Sequence, residues 1–256
     1  MINSISSDAA DASLQKVDEY LTLLIRFIAS LEASKFAVYD GLDVFRLDHE
    51  LTFEWRGHLT GESMFFSSSS LAYEKLMVLH TKAVLHHDKA KAYLQMDVLS
   101  LLSEAGKQLL TAASIMDYVA NMIPTEHLQQ RLNSKVANPP ELDESVCRGL
   151  FSYFKASAQA MAAVKGFSNP STPALVRSRL SLAVVASSRR SLELIASVPA
   201  AAGPNFPFLG HIAALRELFT GSAFFYLAQS YLDKQEVGVA MGFCNAAKVS
   251  STAIFS

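Results

Sequence analysis

Three histidines fall within eight residues, His80, His86 and His87, with Asp88 directly after them. Imidazole and carboxylate are donors of zinc centres, so this cluster is the first place to look for metal chemistry. On a helix, however, His80 and His87 stand two turns apart along the axis, too far to share one tetrahedral ion. Neither an H-E-x-x-H run nor a paired-cysteine motif accompanies them. The sequence therefore predicts partly exposed helix histidines and no metal. Nucleophilic and phosphoryl chemistry have no better footing. The G-x-S-x-G elbow, the G-x-x-x-x-G-K-S/T loop, the G-x-G-x-x-G turn and the kinase motif set are all missing, and the many serines have no base placed for them. No catalytic residue and no cofactor are expected.

Charged side chains suggest binding more than catalysis. Glu54 and Arg56 flank Trp55 and read either as a charged pair that holds a ligand or as the solvent face of a strand. Arg177, Arg179, Arg189 and Arg190 share one helix with almost no acids between them, and positions 179, 186 and 190 can share a face. That basic surface, with Arg179, Arg189 and Arg190 its candidates, suits an acidic partner or is a solvated edge. Over the whole chain 22 Lys and Arg meet 24 Asp and Glu, a net charge of -2. Such a balance supplies no pull toward phosphate backbones or anionic lipid, so nucleic acid is not an expected partner.

The elements that must position these residues are mainly helical. Leu14, Val17, Leu21, Leu24, Ile28 and Leu31 recur at spacings of three and four, the pattern of an amphipathic helix. Leu51, Phe53 and Trp55 alternate with polar residues and predict a half-buried strand, with Val44 to Leu47 as its candidate partner. Ser67 to Ser70 reads as a solvated loop ending at a helix N-cap. From Leu71 to Ile123 two helices are expected, meeting near Gln95 to Asp97, with Pro124 as the end. Asp143 is placed to cap a helix to Lys165 that Gly166 stops, and Thr172 with Pro173 to start another running to about Val198. After the segment Pro199 to Pro207 come two more helices, joined by a polar turn at Asp233 to Glu236. On them Phe224, Leu227, Ala228, Tyr231, Ala240 and Ala247 have the spacing of a tetratricopeptide helix hairpin.

With 256 residues, half of them hydrophobic, and only 11 Gly and 8 Pro, the chain is long and apolar enough for one helical body. Arg189 and Arg190 interrupt its most apolar stretch, so nothing is expected to span a membrane, and attachment would come through a partner. Cys147 and Cys244 lie far apart and no secretory signal precedes the first helix, which points to a reducing, cytoplasmic setting without a disulfide framework.

Three blocks also carry a family resemblance: Thr52-Phe53-Glu54-Trp55-Arg56 followed by Leu71-Ala72-Tyr73-Glu74, then Leu109 to Ala120, then the hairpin Phe224 to Ala247. In these the sequence resembles the Bro-one domain family of ALIX/PalC type, nearest its fungal pH-signalling branch. The resemblance implies a single domain over 1–256, clearest over 44–248 and shortened at its C-terminus. It implies a curved array of long helices with a small sheet in the N-terminal half. The expected function is that of a non-catalytic adaptor, cytoplasmic and recruited to endosomes, in multivesicular-body sorting or ambient-pH signalling. Its partner would be the amphipathic C-terminal helix of the filament-forming ESCRT-III subunit, docked on an apolar patch. Carried onto this sequence, the patch falls at Ala162, Val176 and Leu180, with Met161 and Val164 adding apolar area. Ala162 stands where the ALIX branch has a large aromatic. The apolar end, Ala253-Ile254-Phe255, would pack back or meet a partner. The alternative is a tetratricopeptide-like scaffold gripping an extended peptide.

Overall fold

A computed structural model describes residues 7–35, 51–56, 65–96, 99–123, 139–198 and 207–252. Its helices are α1 (Ser7–Lys35), α2 (Leu71–Gln95), α3 (Leu102–Met122), α4 (Glu144–Ser168), α5 (Ala174–Ala196), α6 (Pro207–Leu232) and α7 (Val237–Thr252). Single 3-10 turns at Leu99–Leu101 and Pro140–Leu142 introduce α3 and α4, and two short strands, β1 (Phe53–Arg56) and β2 (Phe65–Ser68), precede α2. Each helix packs chiefly on the helices before and after it in sequence, from α1 through α7. The result is the expected mainly helical array with a small antiparallel sheet, in which local contacts dominate.

Caps account for two of the starts. Ser70 Oγ accepts from the Tyr73 amide at 3.4 Å, and Asp143 Oδ1 accepts from Ser145 and Val146 amides at 2.8 and 3.3 Å. Both satisfy amides that have no partner inside a helix. Two expected boundaries are corrected. Gly166 does not stop α4, which continues to Ser168. A Cβ on Gly166 would meet Leu180 Cδ1 at 3.0 Å, so this glycine permits close approach of α5. Pro173 rather than Thr172 is the N-cap of α5, without a side-chain hydrogen bond, because its carbonyl accepts the first helical amides, Val176 and Arg177.

The strand over Leu51 to Trp55 forms as β1, but part of the expected serine loop is its partner. Phe53 pairs with Ser68 and Trp55 with Phe66. Val44 to Leu47 lies outside the described residues, as do Asp97, the segment 124–138 and the C-terminal Ala253-Ile254-Phe255. A buried carboxylate ties the sheet to two helices: Glu74 of α2 accepts from Trp55 Nε1 at 2.5 Å and from Tyr20 Oη of α1 at 2.7 Å. Burial next to this carboxylate pushes the Tyr20 hydroxyl up to about 12.

The histidines also differ from expectation, because His80 and His87 are buried rather than partly exposed. His87 sits among the rings of Tyr153, Phe154 and Phe208 at centroid distances of 5.7, 5.2 and 5.8 Å, and His86 Nδ1 is 2.7 Å from Gln108 Oε1. Among the described residues no group of three His, Cys, Asp or Glu is arranged to hold a metal ion. Cys147 is buried and Cys244 exposed, each as a free thiol.

Candidate functional site

The patch and basic-surface residues singled out in the sequence lie on α4 and α5. Four contacts set the spacing of these helices. Gly149 presents its bare Cα to Ile195, and its carbonyl accepts from Ser191 Oγ at 2.7 Å. Ser187 Oγ donates to Gln159 Oε1 at 2.9 Å, and Gly166 faces Leu180. The pairing order makes the two helices antiparallel. The buried stripe of α5 is Ser178, Ser181, Val184, Ser188, Ser191 and Ile195, mostly small side chains that let the backbones come close. Ala156, Ala160 and Ala163 of α4 join Val184 and Phe219 in a second core cluster.

Outside the helix pair, part of the α4–α5 seam opens as a groove lined by Arg148, Lys155, Ser187 and Arg190. Along α4, Arg148, Lys155 and Ala162 are seven residues apart, and along α5 so are Val176, Ala183 and Arg190, which puts each set on one face. The structure divides the five candidate patch residues. Ala162 is exposed and Val176 is 42% exposed. Leu180, Val164 and Met161 are half-buried: Leu180 and Val164 pack on the second core cluster, and Met161 lies between both clusters with its Cβ 3.8 Å from the Cβ position of Gly106 on α3. The outward apolar surface is therefore Ala162 and Val176, with Leu180 as the floor.

Two turns further along, the groove changes character. A cavity of about 380 Å³ opens between α3, α4 and α5, and its lining includes Asp117, Arg148, Phe151, Lys155, Ala186 and Arg190. Arg148 is held by Glu144 at 2.7 Å and Asn121 at 3.2 Å, and Lys155 Nζ lies 5.8 Å above the Phe151 ring. Of the three expected basic residues, Arg190 alone lines this cavity. Arg189 and Arg179 are exposed outside it. Arg148, Lys155 and Asp117 were not singled out from sequence. The seven-residue recurrence of Arg148 and Lys155 with Ala162 was the available signal, masked because α4 also carries a dense alanine pattern, and Asp117 on α3 had none.

Glu54 and Arg56 point to solvent on β1, while Trp55 between them turns inward to Glu74. The strand's charged pair is its outer face.

The chain is a helical array whose helices are tied mainly to their sequence neighbours. A family model described as the BRO1-like domain matches residues 2–254, and the chain belongs to that family. It is 26% identical over 208 residues to the vacuolar protein-sorting protein bro1 of Schizosaccharomyces pombe, a match covering 77% of this chain and 24% of that protein. The chain thus spans about a quarter of the length of this curated relative. The crystal structure of ALIX in complex with the SIVmac239 PYKEVTEDL late domain shares the fold. The TM-score is 0.70 at 16% identity, over 96% of this chain and 36% of ALIX. No helix among the described residues is long and apolar enough to cross a membrane.

Proposed function

We propose that this chain is a non-catalytic adaptor in vacuolar or endosomal sorting, and that the apolar end of its α4–α5 groove receives the C-terminal amphipathic helix of an ESCRT-III filament subunit. Endosomal recruitment from the cytoplasm, and a role in ambient-pH signalling, belong to the same reading. The observation that carries it is the exposed apolar face at Ala162 and Val176 above a half-buried Leu180 floor, on two helices held in place by small-residue contacts. A preformed, rigid apolar strip suits helix-in-groove recognition, where a few anchors are buried and the backbone of the receptor barely moves. Family membership and the vacuolar-sorting name of the relative support the cellular setting.

The test is calorimetric titration of the full chain with that C-terminal helix peptide at two temperatures. Saturable binding with a negative heat-capacity change is expected. Val176→Asp should weaken binding by about 30-fold, the equivalent of about 2 kcal/mol for a central anchor, without lowering the melting temperature. Leu180→Asp should lower both, since Leu180 also packs on the core. No binding to the folded chain at hundreds of micromolar, or equal binding by Val176→Asp, would overturn the assignment and favour an extended peptide on another face.

A further inference from the structure

The cationic end of the groove has no part in that apolar docking, yet it lies on the same faces of the same helices. Lys155 is seven residues from Ala162 on α4, about 10 Å along the axis, and Arg190 is fourteen residues from Val176 on α5, about 21 Å, so the cations lie beyond the Ala162 end of the apolar strip. The antiparallel contacts Gly149 to Ser191 and Gln159 to Ser187 bring Lys155 opposite Arg190 across one cavity of about 380 Å³. Arg148 completes a set of three cations against the single carboxylate Asp117, which stands on the α3 wall. Arg148 is already engaged by Glu144, whereas Arg190 makes no ion pair among the described residues.

We infer that this cavity receives acidic side chains of a helical protein segment docked along the groove, placed about two helical turns from that segment's contact with Ala162. The inference rests on the docking reading above and specifies the partner further: apolar at one end, acidic seven residues on. Charge complementarity favours it, because a carboxylate beside Lys155 and Arg190 gains two charge-assisted contacts, while a basic segment meets two like charges there. Asp117 repels the acid from the α3 side and so directs it to the α4–α5 side. The Phe151 ring, 5.8 Å from Lys155 Nζ, favours a cation at this position.

The experiment uses the full chain and two fluorescein-labelled helical peptides, identical except that a Glu-Glu pair seven residues from the leucine anchor is Gln-Gln in the second. The Glu peptide should bind the parent chain about fivefold tighter at low salt, with the advantage lost at high salt. Lys155→Gln combined with Arg190→Gln should abolish the advantage while leaving binding of the Gln peptide and the circular dichroism melt unchanged. An advantage that survives in this double variant would overturn the inference. If neither peptide binds the parent, the docking reading fails, and octaglutamate tests the cavity alone. Saturable, salt-sensitive binding lost in the double variant upholds the acidic site. No binding, or displacement by equimolar pyrophosphate, overturns it.

Discussion

Gly149→Ala should destabilise the fold even though alanine is the better helix former. A methyl group built on Gly149 lies 2.5 Å from Ile195 Cγ1 and 3.2 Å from its Cδ1, with Ser191 O at 3.4 Å. Ile195 is fully buried and β-branched, so one χ1 rotamer dominates in its helix and the side chain has nowhere to swing. Relief has to come from separation of α4 and α5, which stretches the Ser191 to Gly149 hydrogen bond. Overpacking of this kind costs about 1–3 kcal/mol, and a contact of 2.5 Å belongs in the upper part of that range. Helix propensity returns about 1 kcal/mol, leaving a net loss of about 1–2 kcal/mol. For a chain of this size that lowers the melting temperature by about 3–6 °C. Gly106→Ala is the control, because its new methyl meets only Met161 Cβ at 3.8 Å, an ordinary contact. There the propensity gain stands alone and the melting temperature should rise by about 2–3 °C. Ile195→Ala should also cost less in a chain already carrying Gly149→Ala than in the parent, since the two sites share one space. Thermal melts and urea titrations of the variants give every number. If both glycine variants melt higher, glycine does not set the helix spacing and the account of the groove is wrong.

Glu74→Ala strips the acceptor from two donors, Trp55 Nε1 and Tyr20 Oη, and should cost about 2–3 kcal/mol. The chain has one tryptophan, so a red shift of its emission reports release of β1 directly, and unchanged emission would show that Glu74 does not hold the strand. His87 predicts the acid limb of stability. Burial, reinforced by Lys91 and His211, holds its imidazole down to about 3 against an ordinary 6.5. Between those values the unfolded chain binds a proton that the folded chain excludes. The stability it contributes is therefore complete above about pH 6.5 and falls as the pH drops toward 3, by up to about 1.4 kcal/mol per unit. The urea midpoint should be lower at pH 5 than at pH 7.5, with most of that difference removed by His87→Phe. A difference retained by the variant would mean that other groups carry it.

Helix order was legible because its causes are local. The three-and-four spacing from Leu14 to Leu31 and the caps Ser70 and Asp143 need no distant partner to act. β2 was not legible, because only Phe66 of Phe65-Phe66-Ser67-Ser68 turns inward while Phe65 is 68% exposed, so the segment shows no apolar alternation. Gly166 carried the right residue type for a helix stop, and only the position of Leu180, a contact made by the next helix, reveals its packing role. Depth in the candidate site was hidden for a related reason. On α5, Ser178, Ser181, Ser188 and Ser191 are fully buried while Leu175, Val176 and Leu182 face outward, the reverse of what hydrophobicity alone suggests. Where two helices approach closely, side-chain volume decides the interface, and small polar residues displace large apolar ones from it. Ser181 Oγ is satisfied within its own helix by Arg177 O at 3.0 Å, which makes that burial tolerable.

This inversion also bears on how the surface recognises anything. Large side chains expelled from the α4–α5 contact end up on its outer rim, so the same serines and glycines that bring the helices together expose Val176 and its neighbours. A more conventional interface, with leucine at positions 181 and 188, would hold the helices further apart and deepen the groove, changing the depth at which a ligand sits. The two ends of the groove then act on different terms of recognition. The apolar end supplies area, which favours many amphipathic helices nearly equally, whereas the cations at Lys155 and Arg190 penalise helices of the wrong charge further along the same faces. Affinity and selectivity in this arrangement should therefore be separable by mutation, with Val176 governing the first and the Lys155 and Arg190 pair the second.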